Sequence, residues 1–324
     1  ASDPNHFAAE GRGVLVRGLD RVQSQFNGRG SFSAGNWGSG LSFEDIPPEL
    51  VGTVEVAKNQ TSDIIAGGIA GMVNLTTRKP LDMDGRKIFV SAKTSYGDLV
   101  DDWSPAFSGL FSDRWETGVG EFGFLISAST SEFTARGDGV NLSNFYERSA
   151  TQTEFPTLGN TELPGYEGQT LYVPSGPWVQ TAESDRDRTG FDTSLQWENN
   201  DGTIRATAEF IRTSSEESWR ENVLFPTTSS SGFDADLTNA TLVGTDATFD
   251  KNGYFTSGTI TYPWNIAYLA SARGDRTKSV VEDASFNLVL TPNDRLKIEL
   301  DYQSLDTTYD RENNTINNRF AMSD

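Results

Sequence analysis

Seven segments of alternating apolar and polar side chains place the strongest constraint on the fold of this chain. All seven follow Pro80, and they cover residues 87–96, 106–112, 121–129, 191–198, 204–210, 285–291 and 296–302. In the last of them Leu296, Ile298, Leu300 and Tyr302 alternate with Lys297, Glu299 and Asp301. Successive side chains of a strand point to opposite faces, so a period of two predicts strands with one apolar and one polar face.

The connections between these segments fall into two length classes. Short connections at residues 116–120, 199–202 and 291–294 alternate with a joint of a few residues after Gly97 and with long ones at residues 135–187 and 214–279. A soluble β-sandwich alternates in the same way but has no reason to separate short from long connections by face. Short turns at one end and long loops at the other are typical of outer-membrane β-barrels, so the pattern favours a membrane barrel over a soluble β-domain.

Composition narrows the function classes. The chain has 324 residues, a formal net charge of −20 and no cysteine, which excludes a disulfide framework and thiolate chemistry. No run of 18 apolar residues is present, so the sequence predicts no transmembrane helix. Nucleic acid is not an expected partner, because phosphate binding requires clustered Lys and Arg.

The stretch Ile64–Pro80 separates this strand-rich region from a glycine-rich beginning. Its three glycines, at positions 67, 68 and 71, permit a sharp bend between two short strands. Upstream, Asn27-Gly28 predicts a tight turn, and Pro47-Pro48 suits the first turn of a short helix over residues 48–51. These signals predict a small α+β unit that ends near residue 82.

Five sequence blocks in this unit resemble the plug domain of TonB-dependent outer-membrane receptors. In order, they are Glu10-Gly11-Arg12-Gly13 with Val16-Arg17-Gly18-Leu19, Asn27-Gly28-Arg29, Phe43 to Val51, Val54-Glu55-Val56, and Gly67-Gly68-Ile69-Ala70-Gly71-Met72-Val73-Asn74-Leu75. The form Phe7-Ala8-Ala9-Glu10-Gly11-Arg12-Gly13 resembles a branch common in Gram-negative bacteria that scavenge carbohydrates.

The resemblance implies a fold and a domain division. It implies a small α+β plug (residues 1–82) followed by antiparallel transmembrane β-barrel strands (residues 83–324). About seven strands of an incomplete barrel are expected, because a plugged lumen goes with about 22 strands. We therefore expect an internal fragment that lacks the TonB-contact segment and the later strands.

The resemblance also implies a function. It implies active import of a scarce nutrient across the bacterial outer membrane, with TonB, outer-membrane lipid and a small nutrient ligand as partners. An oligosaccharide is the expected nutrient, and a ferric siderophore is the alternative. A non-transporting adhesin or structural barrel and a soluble carbohydrate-binding β-domain are alternatives of another class. We expect no enzymatic activity, no catalytic residue and no cofactor.

Aromatic residues of the long connections are the candidate ligand-binding groups. Flat rings with polar neighbours suit a sugar's apolar face or a planar ligand, and the alternative is an aromatic belt at the membrane interface or packing within the loops. The candidates are Tyr166, Tyr172, Trp178, Trp219, Tyr254 and Trp264, and further aromatic residues of the second connection are Phe225, Tyr262 and Tyr268.

Charged residues of the first 82 positions are candidates for ion pairs between plug and barrel. Buried charges must be paired, since loss of one partner costs of order 3–5 kcal/mol. The candidates are Arg12, Arg17, Arg29, Glu55 and Arg78, with Glu209, Glu299 and Asp301 as expected carboxylate partners. We hypothesise that a pull from the periplasm breaks such pairs and loosens the plug.

The sequence predicts no metal site. His6 is the only histidine, and it has no patterned Ser and Asp partners, which argues against a catalytic triad or a histidine metal centre. Asp98, Asp101 and Asp102 are a possible cation site, but a solvated loop is the preferred interpretation.

Overall fold

The computed structural model describes most of the chain. The described residues are 2–3, 12–19, 21–31, 42–59, 67–142, 145–149, 151–154, 159–174, 177–227, 242–261 and 267–321. Among them, no helix is long and apolar enough to cross a membrane.

A four-stranded mixed sheet organises the N-terminal segment, by which we mean residues 1–82. Its strands are β1 (Val22–Phe26), β2 (Arg29–Gly30), β3 (Val51–Ala57) and β4 (Gly71–Thr77), in the order β2-β1-β4-β3. Strands β1 and β4 are parallel, and the other two pairs are antiparallel. A further short pair joins Ser2–Asp3 to Arg12–Val14.

The Asn27-Gly28 turn between β1 and β2 has the predicted geometry. Both residues have positive φ angles, 52° for Asn27 and 78° for Gly28, as a type I′ hairpin turn requires. The backbone twist of such a turn matches the twist of the flanking strands, so the Asn-Gly sequence favours a hairpin here.

The predicted α content of the N-terminal segment is wrong within the described residues. Three 3-10 helices of three residues each occur there, Phe43–Asp45, Pro48–Leu50 and Pro80–Asp82, and no α-helix. The expected helix over residues 48–51 stops after one turn because Val51 already pairs in β3. Too few residues separate Pro47 from that strand for further helical hydrogen bonds to offset the unfavourable free energy of helix nucleation.

One large antiparallel sheet contains all seven predicted strands. They are β5 (Lys87–Gly97), β6 (Asp102–Thr117), β7 (Gly120–Leu142), β8 (Pro177–Glu198), β9 (Ile204–Thr227), β10 (Ala267–Asn293) and β11 (Leu296–Ala321). The order is sequential, from β5 at one edge to β11 at the other. Consecutive antiparallel pairing is the arrangement that short turns favour.

Strands β7 to β11 are longer than the alternation predicts. The connection expected at residues 135–187 begins after Leu142 and ends before Pro177, and the one expected at 214–279 lies between Thr227 and Ala267. Most of the additional strand residues are polar, for example all of residues 214–218. Their few apolar residues do not alternate regularly, so they carry little period-two signal, and cross-strand pairing extends the strands.

The long connections contain short strand pairs of their own. These pairs are Phe145–Ser149 with Thr170–Pro174, Thr151–Glu154 with Gly159–Glu162, Leu242–Val243 with Ile260–Thr261, and Thr248–Phe249 with Phe255–Ser257. Leu163, Leu171, Val173, Val243 and Ala247 are buried among them. The connections are therefore folded around a core of their own.

The chain divides into two compact units. Unit 1 comprises residues 1–137, 183–219 and 275–313, and unit 2 comprises residues 138–182, 220–274 and 314–324. Unit 1 thus holds the N-terminal segment together with parts of all seven long strands. The domain boundary at residue 82 stays a prediction.

Candidate functional site

The two faces of the seven-stranded sheet have inverted polarity within unit 1. Large apolar side chains on one face are exposed, with Val90 at 83%, Leu300 at 56% and Leu195 at 49%. Other exposed members of this apolar face are Ile88, Phe107, Trp115, Ile126, Phe210, Phe286, Ile298 and Tyr302. The opposite, polar face is buried, and it includes Ser112, Ser127, Ser129, Asp192, Ser194, Gln196, Glu209 and Asp283. A sheet in water buries its apolar face, so this inversion fits an apolar surrounding.

Aromatic side chains flank the apolar face at both ends of β6. Trp103 pairs with Tyr96 at a ring-centroid distance of 5.1 Å. At the other end Trp115 stacks on Phe122 at 6.1 Å, and Phe122 lies 6.4 Å from Trp197. Twelve positions separate Trp103 from Trp115, about 40 Å along a strand. At the usual barrel tilt this is a height of about 30 Å, which matches a bilayer's hydrocarbon core.

Glu209 is the centre of a polar cluster where the N-terminal segment meets the polar face. Its side chain is 2% exposed. Oε1 accepts a hydrogen bond from Thr77 Oγ1 at 2.6 Å and pairs with Lys79 Nζ. Oε2 accepts a hydrogen bond from Asn27 Nδ2 at 2.9 Å. Every one of these donors comes from the N-terminal segment. One carboxylate of the seven-stranded sheet, which we call the wall, therefore joins β1, β4 and their flanking residues.

Arg29 extends this cluster to the last strand. Its Nε donates to both carboxylate oxygens of Asp301 at 3.0 Å, and its guanidinium lies 3.9 Å from Glu209 Oε2. Asp192 and Asp283 are also buried on the polar face. In this cluster the wall contributes carboxylates, and the N-terminal segment contributes the cations that face them.

The other charged candidates have partners inside the N-terminal segment. Arg17 donates to Asn59 Oδ1 at 3.0 Å, Arg78 donates to the carbonyl oxygen of Glu49 at 3.1 Å, and Glu55 accepts from Asn74 at 3.1 Å. The backbone of Arg12 is in a strand, and its side chain lies outside the described residues. Glu299 pairs with Lys297 on its own strand at 2.8 Å.

Sequence analysis missed Lys79, Thr77 and Asn27 as members of the cluster. The available signal was the basic pair Arg78-Lys79 directly after β4. Asn27 was interpreted only as a turn residue, although Thr77 N–H also donates to its side-chain oxygen at 2.8 Å. Which of two adjacent cations faces the wall depends on the strand that precedes them.

Two glycines of the wall receive apolar side chains of the N-terminal segment. A Cβ at Gly190 in β8 would lie 2.5 Å from Leu50 Cδ1 and 2.9 Å from Pro47 Cγ. A Cβ at Gly123 in β7 would lie 2.9 Å from both Leu81 and Pro80. Any side chain at these two positions would force the contacting leucine or proline to shift, so glycine suits the wall at these two contacts.

Unit 2 brings three of the predicted aromatic candidates into one folded module. Tyr172 stacks on Tyr254 at 4.7 Å with the rings 19° from parallel. Phe145 stands edge-on to Tyr254 at 5.5 Å and 72°. Tyr166 instead packs against the small core, where it contacts Phe249 at 5.0 Å and its hydroxyl accepts the Phe249 N–H. The module thus has aromatic rings at its surface and an aliphatic core against which further aromatic rings pack.

The remaining aromatic candidates lie in the long strands or outside the described residues. Trp219 is in β9, within unit 1. The backbones of Trp178, Phe225 and Tyr268 lie in long strands, but their side chains lie outside the described residues, as do Tyr262 and Trp264 altogether. Any part they have in ligand binding stays a prediction.

Hydrogen bonds to two loop carboxylates shift their protonation. In unit 2 the hydroxyl and the N–H of Thr259 both donate to Asp246, at 2.9 and 3.2 Å. These bonds lower the pKa of Asp246 below its ordinary value. A backbone N–H of Gly165 similarly lowers the pKa of Glu167. Both carboxylates stay charged at neutral pH and stabilise their turns in that form.

Metal-ligating groups do not converge within the described part of the chain. No set of three or more His, Asp or Glu side chains there is placed to hold a metal ion. His6 lies outside the described residues. Asp101 accepts the Tyr96 hydroxyl at 2.5 Å, while Asp98 and Asp102 accept nearby backbone N–H groups.

Comparisons with known proteins found similarity to solved structures, among them the following three. The ferripyoverdine receptor of the outer membrane of Pseudomonas aeruginosa bound to ferripyoverdine has a TM-score of 0.20 and 11% identity over 94% of this chain and 48% of that one. The FpvAI–pyocin S2 complex has a TM-score of 0.24 and 11% identity, over 97% and 48%. The pyoverdine outer membrane receptor FpvA from P. aeruginosa PAO1 bound to pyoverdine has a TM-score of 0.21 and 11% identity, over 93% and 52%.

The chain spans about half the length of these structures. No family model matches the chain, and no curated protein matches it either. At these TM-scores the structural matches carry no functional conclusion. The inverted sheet and the polar cluster around Glu209 are the features of the chain itself from which a function can be argued.

Proposed function

We propose that the chain is the plug and the first seven wall strands of a TonB-dependent receptor in the bacterial outer membrane. The receptor imports a scarce nutrient with energy transmitted through TonB. The N-terminal segment, residues 1–82, is the plug, and residues 83–324 begin the barrel wall. The chain performs no enzymatic step, because import requires only binding and movement.

The single observation that carries this proposal is the placement of the N-terminal segment on a buried polar face. Its cations Arg29 and Lys79 meet the wall carboxylates Glu209 and Asp301, while the opposite face exposes apolar side chains. A non-transporting adhesin needs no such stopper. A soluble carbohydrate-binding domain has no use for an exposed apolar face of this extent.

The wall–plug pairs are suited to be stable and reversible. Removal of one partner of a buried pair costs of order 3–5 kcal/mol, but substitution of both can be nearly neutral. A plug held by a few such pairs stays seated until force from the periplasm separates the charges. This is the role proposed for Arg29 and, in place of the other predicted cations, for Lys79.

For the nutrient we propose an oligosaccharide, and the aromatic surface of unit 2 supports this choice. Tyr254 and Phe145 are exposed by 42% and 38%, and open rings suit the apolar face of a sugar. A ferric siderophore is the alternative ligand class.

The experiment compares cells with and without the gene for the full-length protein. We expect radiolabelled oligosaccharide to accumulate only in cells that carry the gene, and accumulation to stop when TonB is deleted or an uncoupler removes the proton gradient. Surface binding should survive the uncoupler. Accumulation of ferric siderophore instead would identify the other ligand class. Binding without accumulation would indicate an adhesin, and fractionation with the soluble proteins would contradict the proposal as a whole.

A further inference from the structure

Tyr254 is held rigidly at the surface of unit 2. Asp250 Oδ1 accepts the N–H groups of Asn252 and Tyr254, both at 2.9 Å. Gly253 lies so close to the strand Thr170–Pro174 that a Cβ there would be 2.6 Å from the Thr170 carbonyl oxygen, and its own carbonyl accepts Tyr172 N–H at 2.8 Å. These bonds fix the backbone that carries the Tyr254 ring, which lowers the entropy cost of ordering it on binding.

The rings of Tyr172 and Phe145 form a corner with Tyr254 that is partly exposed. Tyr172 stacks on one face of the Tyr254 ring, and Phe145 stands at 72° to that ring. Tyr254 is 42% exposed and Phe145 is 38% exposed. The corner therefore presents the Tyr254 ring to solvent as a flat apolar floor and the Phe145 ring as its apolar side. An aromatic cage for a cation needs rings on several sides of the charge, whereas this arrangement suits a flat ring laid on the floor.

Polar side chains that can accept and that can donate hydrogen bonds border the corner. Glu147 is directly opposite Tyr172 in the strand pair, on the same face as Phe145. Lys251 and Asn252 are exposed on the turn that leads to Tyr254. Carboxylate, ammonium and amide groups together match hydroxyls, which both donate and accept hydrogen bonds. A cationic ligand would meet the charge of Lys251.

The charge of unit 2 disfavours anionic ligands. Within residues 138–182, 220–274 and 314–324, acidic residues outnumber basic ones, in keeping with the net charge of −20 for the whole chain. Like charges repel ligands before contact. Anionic ferric chelates and acidic sugars are therefore poorer ligands than neutral ones.

We infer that the corner formed by Phe145, Tyr172 and Tyr254 is a binding site for a neutral sugar ring, which stacks on Tyr254. The inference rests on the proposed import function and specifies the substrate class and the residue that contacts it. Binding itself can be measured without transport, so the two proposals can fail separately.

The test is calorimetric titration of the purified full-length protein in detergent with neutral gluco- and xylo-oligosaccharides. Tyr254→Ala should weaken binding about tenfold, since it removes one stacked ring. Tyr254→Phe keeps the ring and should bind close to wild type. Tyr302→Ala is the matched control, because Tyr302 is an exposed tyrosine of the long sheet that lies outside unit 2.

Amide exchange of residues 170–174 reports whether each variant keeps the strand pair. If these amides exchange faster in Tyr254→Ala, the test uses Phe145→Ala instead. That variant removes only the ring at the side of the corner and should also weaken sugar binding. Wild-type affinity in the folded variants would overturn the inference. So would tighter binding of tetramethylammonium, uronic-acid oligosaccharides or a ferric chelate than of every neutral sugar. Sugar binding without uptake would leave the inference standing and contradict only the import function.

Discussion

At the scale of single residues, the contacts of Glu209 distinguish a structural ion pair from a surface one. Its carboxylate is nearly inaccessible and meets Lys79, Thr77 and Asn27. Arg212 and Glu282 also form a pair, at 2.9 Å, but about half of each side chain is exposed. Solvent screens the second pair and not the first, so the two pairs should differ in energetic weight.

Glu209→Gln should therefore loosen the N-terminal segment by about 3 kcal/mol. The amide keeps one acceptor but places an NH₂ group against donors, and it removes the charge that Lys79 needs. Hydrogen exchange of the amides in β1 and β4 should become roughly a hundredfold faster. Glu282→Gln is the matched control, with an expected cost of no more than about 1 kcal/mol. Equal exchange in the two variants would show that Glu209 does not hold the segment.

The turn that contains Asp246 should lose stability in acid. The folded pKa of Asp246 is lowered by bonds from Thr259, while in the unfolded chain it stays near its ordinary value of about 3.9. The contribution is thus complete above that unfolded pKa and disappears as the pH falls through the lower, folded pKa. Amide exchange at Thr259, corrected for the intrinsic pH dependence, should quicken below about pH 4. In Asp246→Asn the step should vanish; a step of the same size in that variant would assign it to another group.

At the scale of elements, two of the 3-10 turns pack their apolar side chains on glycines of the long sheet. The turn Pro48–Leu50 places Leu50, 2% exposed, over Gly190. The turn Pro80–Asp82 lies over Gly123, and its Leu81 N–H donates to Gln196 Oε1 at 3.0 Å. Proline fixes the backbone of each turn, so the apolar side chains are presented in one geometry.

Gly190→Ala should displace the Pro48–Leu50 turn from the wall. The added Cβ would lie 2.5 Å from Leu50, and overpacking of this kind costs about 1–3 kcal/mol. Gly109→Ala provides the matched control in β6, because its nearest neighbour there is the Phe89 carbonyl oxygen at 4.0 Å. Limited proteolysis within residues 42–59 should rise for the first variant only. Equal cleavage of both would mean that the contact with Gly190 contributes little to docking.

At the scale of the whole molecule, the environment of the apolar face decides what an exposed substitution costs. Leu195 is 49% exposed, and in water an arginine there would be almost neutral. In hydrocarbon the same arginine costs about 2–4 kcal/mol near the midplane. The exposed apolar face, where substitutions would cost little in water, is then the face where a charged substitution costs most.

Leu195→Arg should accordingly lower the yield of the full-length protein folded into lipid vesicles. Asp201→Arg, in the exposed turn between β8 and β9, introduces the same side chain outside the apolar band and should fold like the wild type. Folding yield can be followed by protease protection at several urea concentrations. Indistinguishable yields would place the apolar face in water and contradict a membrane location.

The sequence alone determined the alternating part of each long strand and which of its side chains share a face. Alternation at residues 296–302 has only one solution as a strand, because its apolar side chains fall on one face and its charged ones on the other. The hairpin at Asn27-Gly28 was equally predictable, since few residues tolerate two positive φ angles. These features depend on neighbours along the chain.

Tertiary structure decided which groups meet across the chain. Thr77 and Glu209 are 132 positions apart, and no local pattern shows that Lys79 rather than Arg78 faces that carboxylate. The mostly polar outer parts of β7 to β11 became strands through pairing, since their few apolar residues do not alternate regularly. Tyr166 entered a core while Tyr254 stayed at the surface, because the burial of an aromatic ring depends on the packing of distant segments and not on its own sequence context.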